Sequence, residues 1–230
     1  MLISIYSLII GFPIPIIFAL LLNEIKDGPF KRVTQTISYL PHFISVVVVV
    51  GLLFNFLSPI DGVVNVLLKS MGKDAINFMS EPGWFRTLYI GSNIWQNFGW
   101  DSIIYLAALS SVDPQLYEAA QIDGATRLQR IFYITLPCIK STIVVVLIMT
   151  MGNLFGGGLS GSNFEQCYLL GNNVNADTST IIQTYVFDVG LAQGRYAYAT
   201  AVRLIQSVIS LVLIFASNFV SKKLAGSGLF

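Results

Sequence analysis

Five stretches of this chain, at residues 3–22, 37–57, 88–109, 139–155 and 201–220, are dominated by apolar side chains. Each is close to the roughly 20 residues an α-helix needs to cross a hydrocarbon layer. Lipid offers the backbone no hydrogen-bond partner, so an open strand is excluded and the valine run at 46–50, β-branched as it is, reads as helix. Charged residues make up only 11% of the 230, against about a quarter in soluble domains, too few to solvate a globular surface. The expected fold is all-α: one polytopic membrane bundle over residues 1–230, with five spans visible.

The spans carry their own punctuation. Gly11, Pro13 and Pro15 predict a kink in the first, and no basic segment or small-residue cleavage site marks it as a signal peptide. Residues 23–31 read as a polar turn broken by Gly28 and Pro29. His42, the one histidine, follows Pro41 and reads as a packing or interfacial residue. The connection at 58–85 contains an amphipathic piece at 63–68, and Trp84 and Phe85 suit the aromatic belt at a bilayer edge. A second polar connection, 163–199, holds another amphipathic piece at 181–187. Cys138 and Cys167 fall on opposite sides of the membrane in this topology and read as structural. Gly152 and Gly156 form a small-xxx-small pair, and the glycines at 156–158 should end the fourth helix. The string Gly158-Leu159-Ser160-Gly161 looks like the G-x-S-G of rhomboid-type proteases, but no histidine follows Ser160 to serve as its base.

The third span is unusually polar. Asn93, Asn97, Trp100 and Asp101 recur at i, i+4, i+7 and i+8 and share one helical face. An ionised Asp near mid-bilayer costs about 2.5 to 3.5 kcal/mol on insertion scales, so it normally faces a partner or a water-filled path. Amide, carboxylate and indole together suit a polyhydroxylated solute better than an inorganic ion, and Asn153 at the end of the fourth span could join them. The competing expectation is hydrogen bonding that only holds the bundle together.

Between the third and fourth spans lies a polar island, E-A-A-Q-I-D-G-A-T-R-L-Q-R-I-F-Y-I-T-L-P, at 118–137. Asp113-Pro114 is a helix start, Gly124 a turn out of it, and a second short helix is expected from 125 to 133 with Pro137 at the entry to the next span. Two short helices joined at a glycine make a stiff knob. Glu118, Ala119, Ala120, Gly124, Ile134, Leu136 and Pro137 resemble, at matching spacing, the cytoplasmic coupling loop of ABC importer permeases. Further runs, including Y-S-L-I-I-G-F-P-I-P, I-I-Y-L-A-A-L, F-E-Q and Y-A-T-A-V-R-L, are similar to the polysaccharide or oligosaccharide branch of the carbohydrate-type permeases. Ile131 departs from the aromatic or leucine usual there, and the glycine-rich run before F-E-Q is longer than in the family.

The resemblance implies an import permease that encloses half of a solute path and works by alternating access. It implies a second permease subunit as a heterodimer, two ATPase subunits and an extracytoplasmic solute-binding protein, all within membrane lipid. The coupling contact falls within 110–140 and rests on Glu118, Ala119, Ala120, Asp123, Gly124, Ala125, Ile134, Leu136 and Pro137. No G-x-x-x-x-G-K-[ST] phosphate loop occurs in these residues, so ATP and Mg belong to the ATPase partner and no cofactor is expected here. The chain is then a transport component rather than an enzyme. Its net charge of +1 argues neither for nor against nucleic acid, and none is expected as a partner.

Lys26, Lys31, Arg32, Arg127, Arg130, Lys140, Lys222 and Lys223 fall on one side of the five spans, against Lys69, Lys73, Arg86, Arg195 and Arg203 on the other. The excess of eight over five favours a cytoplasmic island and C-terminus in a bacterial cell membrane. The first visible span then starts outside, which fits a further span upstream, as is common in the resembled family. The alternative function is an ion-coupled secondary transporter or channel that uses Asp101.

Overall fold

The computed structural model describes residues 2–154, 163–226 and 228–229. The triple glycine, Gly156 of the small-residue pair, and Ser160 lie outside them. The described residues contain helices and no strand. α1 is Leu2–Glu24. α2, Pro29–Phe43, and α3, Val46–Phe56, form a bent pair, followed by α4, Val63–Ser70, and the 29-residue α5, Pro82–Ser110. α6, Pro114–Ile122, leads to a second bent pair, α7, Arg127–Cys138, and α8, Lys140–Asn153. α9, Phe164–Leu170, α10, Ala176–Ser179, and α11, Ile182–Phe187, precede the last long helix, α12, Tyr196–Ala225.

By length and hydropathy, α1 and the Tyr196–Lys223 part of α12 can each cross a membrane alone, and each bent pair can do so as a unit. α5 is about 44 Å long at 1.5 Å per residue and has the reach despite its polar stripe. Length and composition together support two crossings, or four if each bent pair is one span, and α5 adds a fifth by length alone. The second span is not one helix over 37–57. It breaks by 98° between α2 and α3, where Ile44 is extended and Ser45 caps Val48 N–H. Pro41 explains the weakness, because it has no N–H to give the helix. The polar turn shrinks to residues 25–28, because Pro29 starts α2.

Proline is accommodated differently in α1 and α7. The turn just before Pro13 and the turn just before Leu136-Pro137 are π-helical, Ser7–Gly11 and Ile131–Thr135, and the helix continues past each. The wider turn relieves the clash between the proline ring and the carbonyl four residues back. Pro137 therefore lies in the last turn of α7, two residues before the 63° bend at Ile139 and the start of α8.

Two buried clusters hold the bundle. At one end Ile3, Val50, Phe85, Tyr89, Ile90, Cys167 and Leu170 pack together. At the other, Ile16, Ala19, Tyr105, Leu109 and Ile139 join α1, α5 and the foot of α8. Phe85, expected in an interfacial belt, is core, and Trp84 next to it stays partly exposed against Phe78. Both cysteines are free.

The long connections are folded. Asn65 is fully buried; its amide nitrogen donates to the carbonyls of Leu57, Ser58 and Ile76, and its oxygen accepts from Ile76 N–H at 2.8 Å. Asn175 donates to the Met79 and Leu170 carbonyls and so ties the second connection to the first. The 163–199 segment is thus no solvated loop, since α9 sends Gln166, Cys167 and Leu170 into the bundle.

Gly99 permits the closest helix approach in α5, since a Cβ there would run into the Ser38 carbonyl of α2. Gly91, two turns away, faces open space. Gly99→Ala is expected to lower unfolding stability by about 1–3 kcal/mol, as overpacking does, with Gly91→Ala near neutral. Thermal unfolding of the two variants in one detergent tests the contrast.

Candidate functional site

Two regions carry the side chains singled out by sequence: the stripe on α5 and the knob from α6 to α7. On α5, Asn93 and Asn97 are half-buried, whereas Trp100, 41% exposed, and Asp101 lie open on this subunit's surface. Asn97 donates its amide N–H to the Asn93 carbonyl at 3.0 Å, which turns its oxygen toward His42 Nδ1, also at 3.0 Å. An amide oxygen only accepts, so Nδ1 of His42 carries the proton. The imidazole lies flat on the Trp100 indole, ring centres 4.6 Å apart and planes 2° from parallel, with Phe43 edge-on to the indole.

The neighbouring polar groups brace this stripe. Gln96 donates to the Ile44 carbonyl at 2.7 Å, satisfying a group exposed by the break between α2 and α3. Gln166 of α9 donates to Ser92 Oγ at 2.6 Å and accepts from Asn93 at 3.4 Å. His42, Phe43 and Gln166 were not among the expected stripe residues. Their link to α5 is tertiary, and the one sequence sign was a histidine-proline pair at the edge of an apolar run. Among the described residues no hydrogen bond joins Asn153, half-buried at the end of α8, to the stripe.

The knob is built by local rules. Asp113 accepts from Gln115 N–H at 2.9 Å to start α6, with Pro114 in the first turn. Its end is a Schellman closure: Ala125 N–H returns to the Ala120 carbonyl and Gly124 N–H to that of Gln121, with Gly124 at φ +78°. That left-handed backbone is why the position takes glycine. The second helix starts at Arg127, two residues later than expected, because Thr126 and Gln129 form a reciprocal capping box. Tyr117 Oη and Thr135 Oγ1, 3.1 Å apart, tie α6 to α7.

The knob leaves apolar side chains bare. Ile122 is 87% exposed and Tyr133 79%, with Leu128 and Phe132 also largely open. Glu118, Ala119, Asp123, Gly124 and Pro137 are exposed; Ala120, Ala125, Ile134 and Leu136 are half-buried. Between the two helices lies a concavity of about 320 Å³, bordered by Ala120, Asp123, Gly124, Gln129, Arg130 and Tyr133. Of these, Gln129, Arg130 and Tyr133 were not expected as site residues.

A helical membrane bundle with a braced polar stripe inside and a capped, partly apolar protrusion at one end is the architecture of a transporter's membrane subunit. Residues 11–226 match the family described as "Binding-protein-dependent transport system inner membrane component", and the chain belongs to that family. It is 44% identical over 224 residues to Protein LplB of Bacillus subtilis, covering 97% of this chain and 69% of that protein. It is 46% identical, again over 97% of this chain, to the Bacillus subtilis polygalacturonan/rhamnogalacturonan transport system permease protein YteP, of which 68% is covered. Among solved structures it is similar to a chain of a bacterial alginate ABC transporter in complex with an alginate pentasaccharide-bound periplasmic protein. The TM-score is 0.93 and the identity 45%, over 99% of this chain and 77% of that one. The protein is a permease subunit of a binding-protein-dependent ABC importer in the bacterial inner membrane. That assignment replaces the ion-coupled alternative.

The bracing of α5 is testable on its own. Gln166→Leu removes the α9 partner of the Asn93 amide and of the Ser92 hydroxyl, which keeps its bond to the Leu88 carbonyl, and a lost hydrogen bond of this kind costs about 0.5–1.5 kcal/mol. The variant is expected to unfold at lower temperature than the wild type in detergent, by calorimetry or dye fluorescence.

Proposed function

We propose that the cargo is a sugar or oligosaccharide, delivered by an extracytoplasmic solute-binding protein. This chain forms half of the path, and a second, different permease subunit forms the other half. Support for the cargo comes from the relatives whose names specify polygalacturonan, rhamnogalacturonan and alginate. The α5 stripe fits such a cargo: Trp100 offers a ring face, and Asn93, Asn97 and Asp101 offer hydrogen-bonding groups, with Asn153 further along the path. Trp100 and Asp101 are the exposed members, so they make the first contact in this reading.

The knob couples transport to ATP. Two separate ATPase subunits hold ATP and Mg, and Glu118, Ala119, Ala120, Asp123, Gly124 and Ala125 form the docking face on one of them. Ile134, Leu136 and Pro137 carry its movement into α7 and α8. The excess of basic residues on the knob side supports a cytoplasmic knob and C-terminus. The observation that carries this reading is the rigid, doubly capped α6–α7 turn with bare apolar side chains at its tip.

The test uses the assembled transporter, its binding protein and an oligosaccharide. Gly124→Asp adds a side chain and a charge where the backbone is left-handed, while the spans are untouched. Solute-stimulated ATP hydrolysis is expected to fall at least about tenfold, a loss of 1.4 kcal/mol or more in coupling, along with ATPase co-purification. Wild-type values for both would sink the coupling role.

A further inference from the structure

The concavity inside the knob is polar in a specific way. Arg130 lines it, and its Nε is buried without a hydrogen-bond partner. Among the described residues its side chain has no ion pair; the one ion pair there is Lys31–Asp27, on α2 and the turn before it. Asp123 borders the same concavity yet is not within ion-pair distance of Arg130. Gln129 adds a second donor, because its Oε1 is held by the Thr126 backbone N–H at 2.8 Å and by the Thr126 hydroxyl at 2.9 Å. Only its amide N–H groups remain to face a ligand.

A guanidinium, an amide N–H₂ and the Tyr133 hydroxyl together call for an acceptor. Burying one side of a guanidinium without a counter-charge is costly, and a carboxylate is the group its planar fork matches. Asp123 decides against phosphate. Its carboxylate, at the rim of the same concavity, repels a dianion more strongly than a single carboxylate. A volume of about 320 Å³ takes a side chain, not a folded element.

We propose that this concavity receives one Asp or Glu side chain of the ATPase subunit, held by Arg130 and Gln129. The inference rests on the knob being the ATPase-docking element and adds to it a polar latch on the inner side of the turn, apart from the bare apolar tip. The knob is then both inserted and inserted into: its tip lies against the ATPase while an acidic side chain enters between α6 and α7. Such a latch pulls as well as pushes, so the permease can follow the ATPase when it opens.

The experiment uses the complete transporter co-expressed with its ATPase subunits. Arg130→Gln removes the charge, Arg130→Lys keeps it and supplies an amine, and a water-soluble carbodiimide then joins that amine to any carboxyl in direct contact, forming an amide as the activated carboxyl expels a urea. Arg130→Gln is expected to release the ATPase at least about tenfold faster in a salt wash, with unchanged thermal unfolding. Carbodiimide treatment of Arg130→Lys is expected to give a cross-linked peptide between position 130 and an Asp or Glu of the ATPase. Wild-type retention in Arg130→Gln overturns the latch, as does a cross-link to Asp123 of the same chain or no cross-link at all. The cross-link carries the test by itself if Arg130→Gln folds poorly. If Gly124→Asp also keeps its ATPase, the docking reading fails along with the latch; if Gly124→Asp loses it and Arg130→Gln does not, only the latch fails.

Discussion

A hydrocarbon layer returns no hydrogen bonds, so every polar group a helix carries into it has to be met by another part of the protein or by water in a path. α5 carries six of them between Ser92 and Ser102, and the fold around it follows. Gln96 meets a carbonyl freed at the α2–α3 break, Asn97 meets His42 from the same break, and Gln166 of α9 meets Ser92 and Asn93. The broken second span and the inward-packed α9 thus answer the polarity of the third. What remains unmet on that stripe is at its exposed end, where Trp100 and Asp101 lie. A packed bundle with one open, polar end is what the proposed path wall requires.

The knob obeys a different economy, since its backbone ends are satisfied by its own side chains and turns. Asp113, the Schellman glycine and the Thr126–Gln129 box fix the two helices relative to each other without help from the spans. Each such cap contributes about 1 kcal/mol, and the Tyr117–Thr135 contact closes the pair. In the proposed coupling, rigidity matters because force applied at the tip has to reach the bundle before it is dissipated. The next joint in the chain is the bend at Ile139, and Ile139 is buried against Ile16, Ala19, Tyr105 and Leu109. In that reading a displacement of α7 reaches α1 and α5 as well as α8. The same α5 that carries the polar stripe at one level packs against the joint at another.

The knob's outline was legible in sequence because its determinants are local: a cap, a glycine and a proline act within a few residues of themselves. The long helices at the two ends of the chain were legible because they are apolar throughout their length. The breaks inside the spans were not. Pro13 and Pro137 leave the helix running behind a π turn, whereas the chain breaks at residues 44–45, three residues after Pro41. The difference lies in what waits nearby, since the Gln96 amide takes up the Ile44 carbonyl from 52 positions away. For the same reason His42 and Gln166 read as unremarkable in isolation. Asn65 and Asn175 sat in segments polar enough to pass for loops, and only the carbonyls gathered around them show that they hold those segments in place.

Bare apolar side chains mean two different things on this subunit. On α12, Leu204, Val208, Val212, Phe215 and Phe219 are open along a helix with no charge between Arg203 and Lys222, which is a surface lipid can cover. On the knob, Ile122 and Leu128 are as open but stand beside Glu118, Asp123 and Arg127, and no lipid tail can solvate those charges. Water would solvate the charges and leave the apolar groups uncovered. A surface that suits neither solvent is one that suits a protein, and Arg130 at its inner side, whose buried Nε has no hydrogen-bond partner, is the group the proposed acidic latch engages.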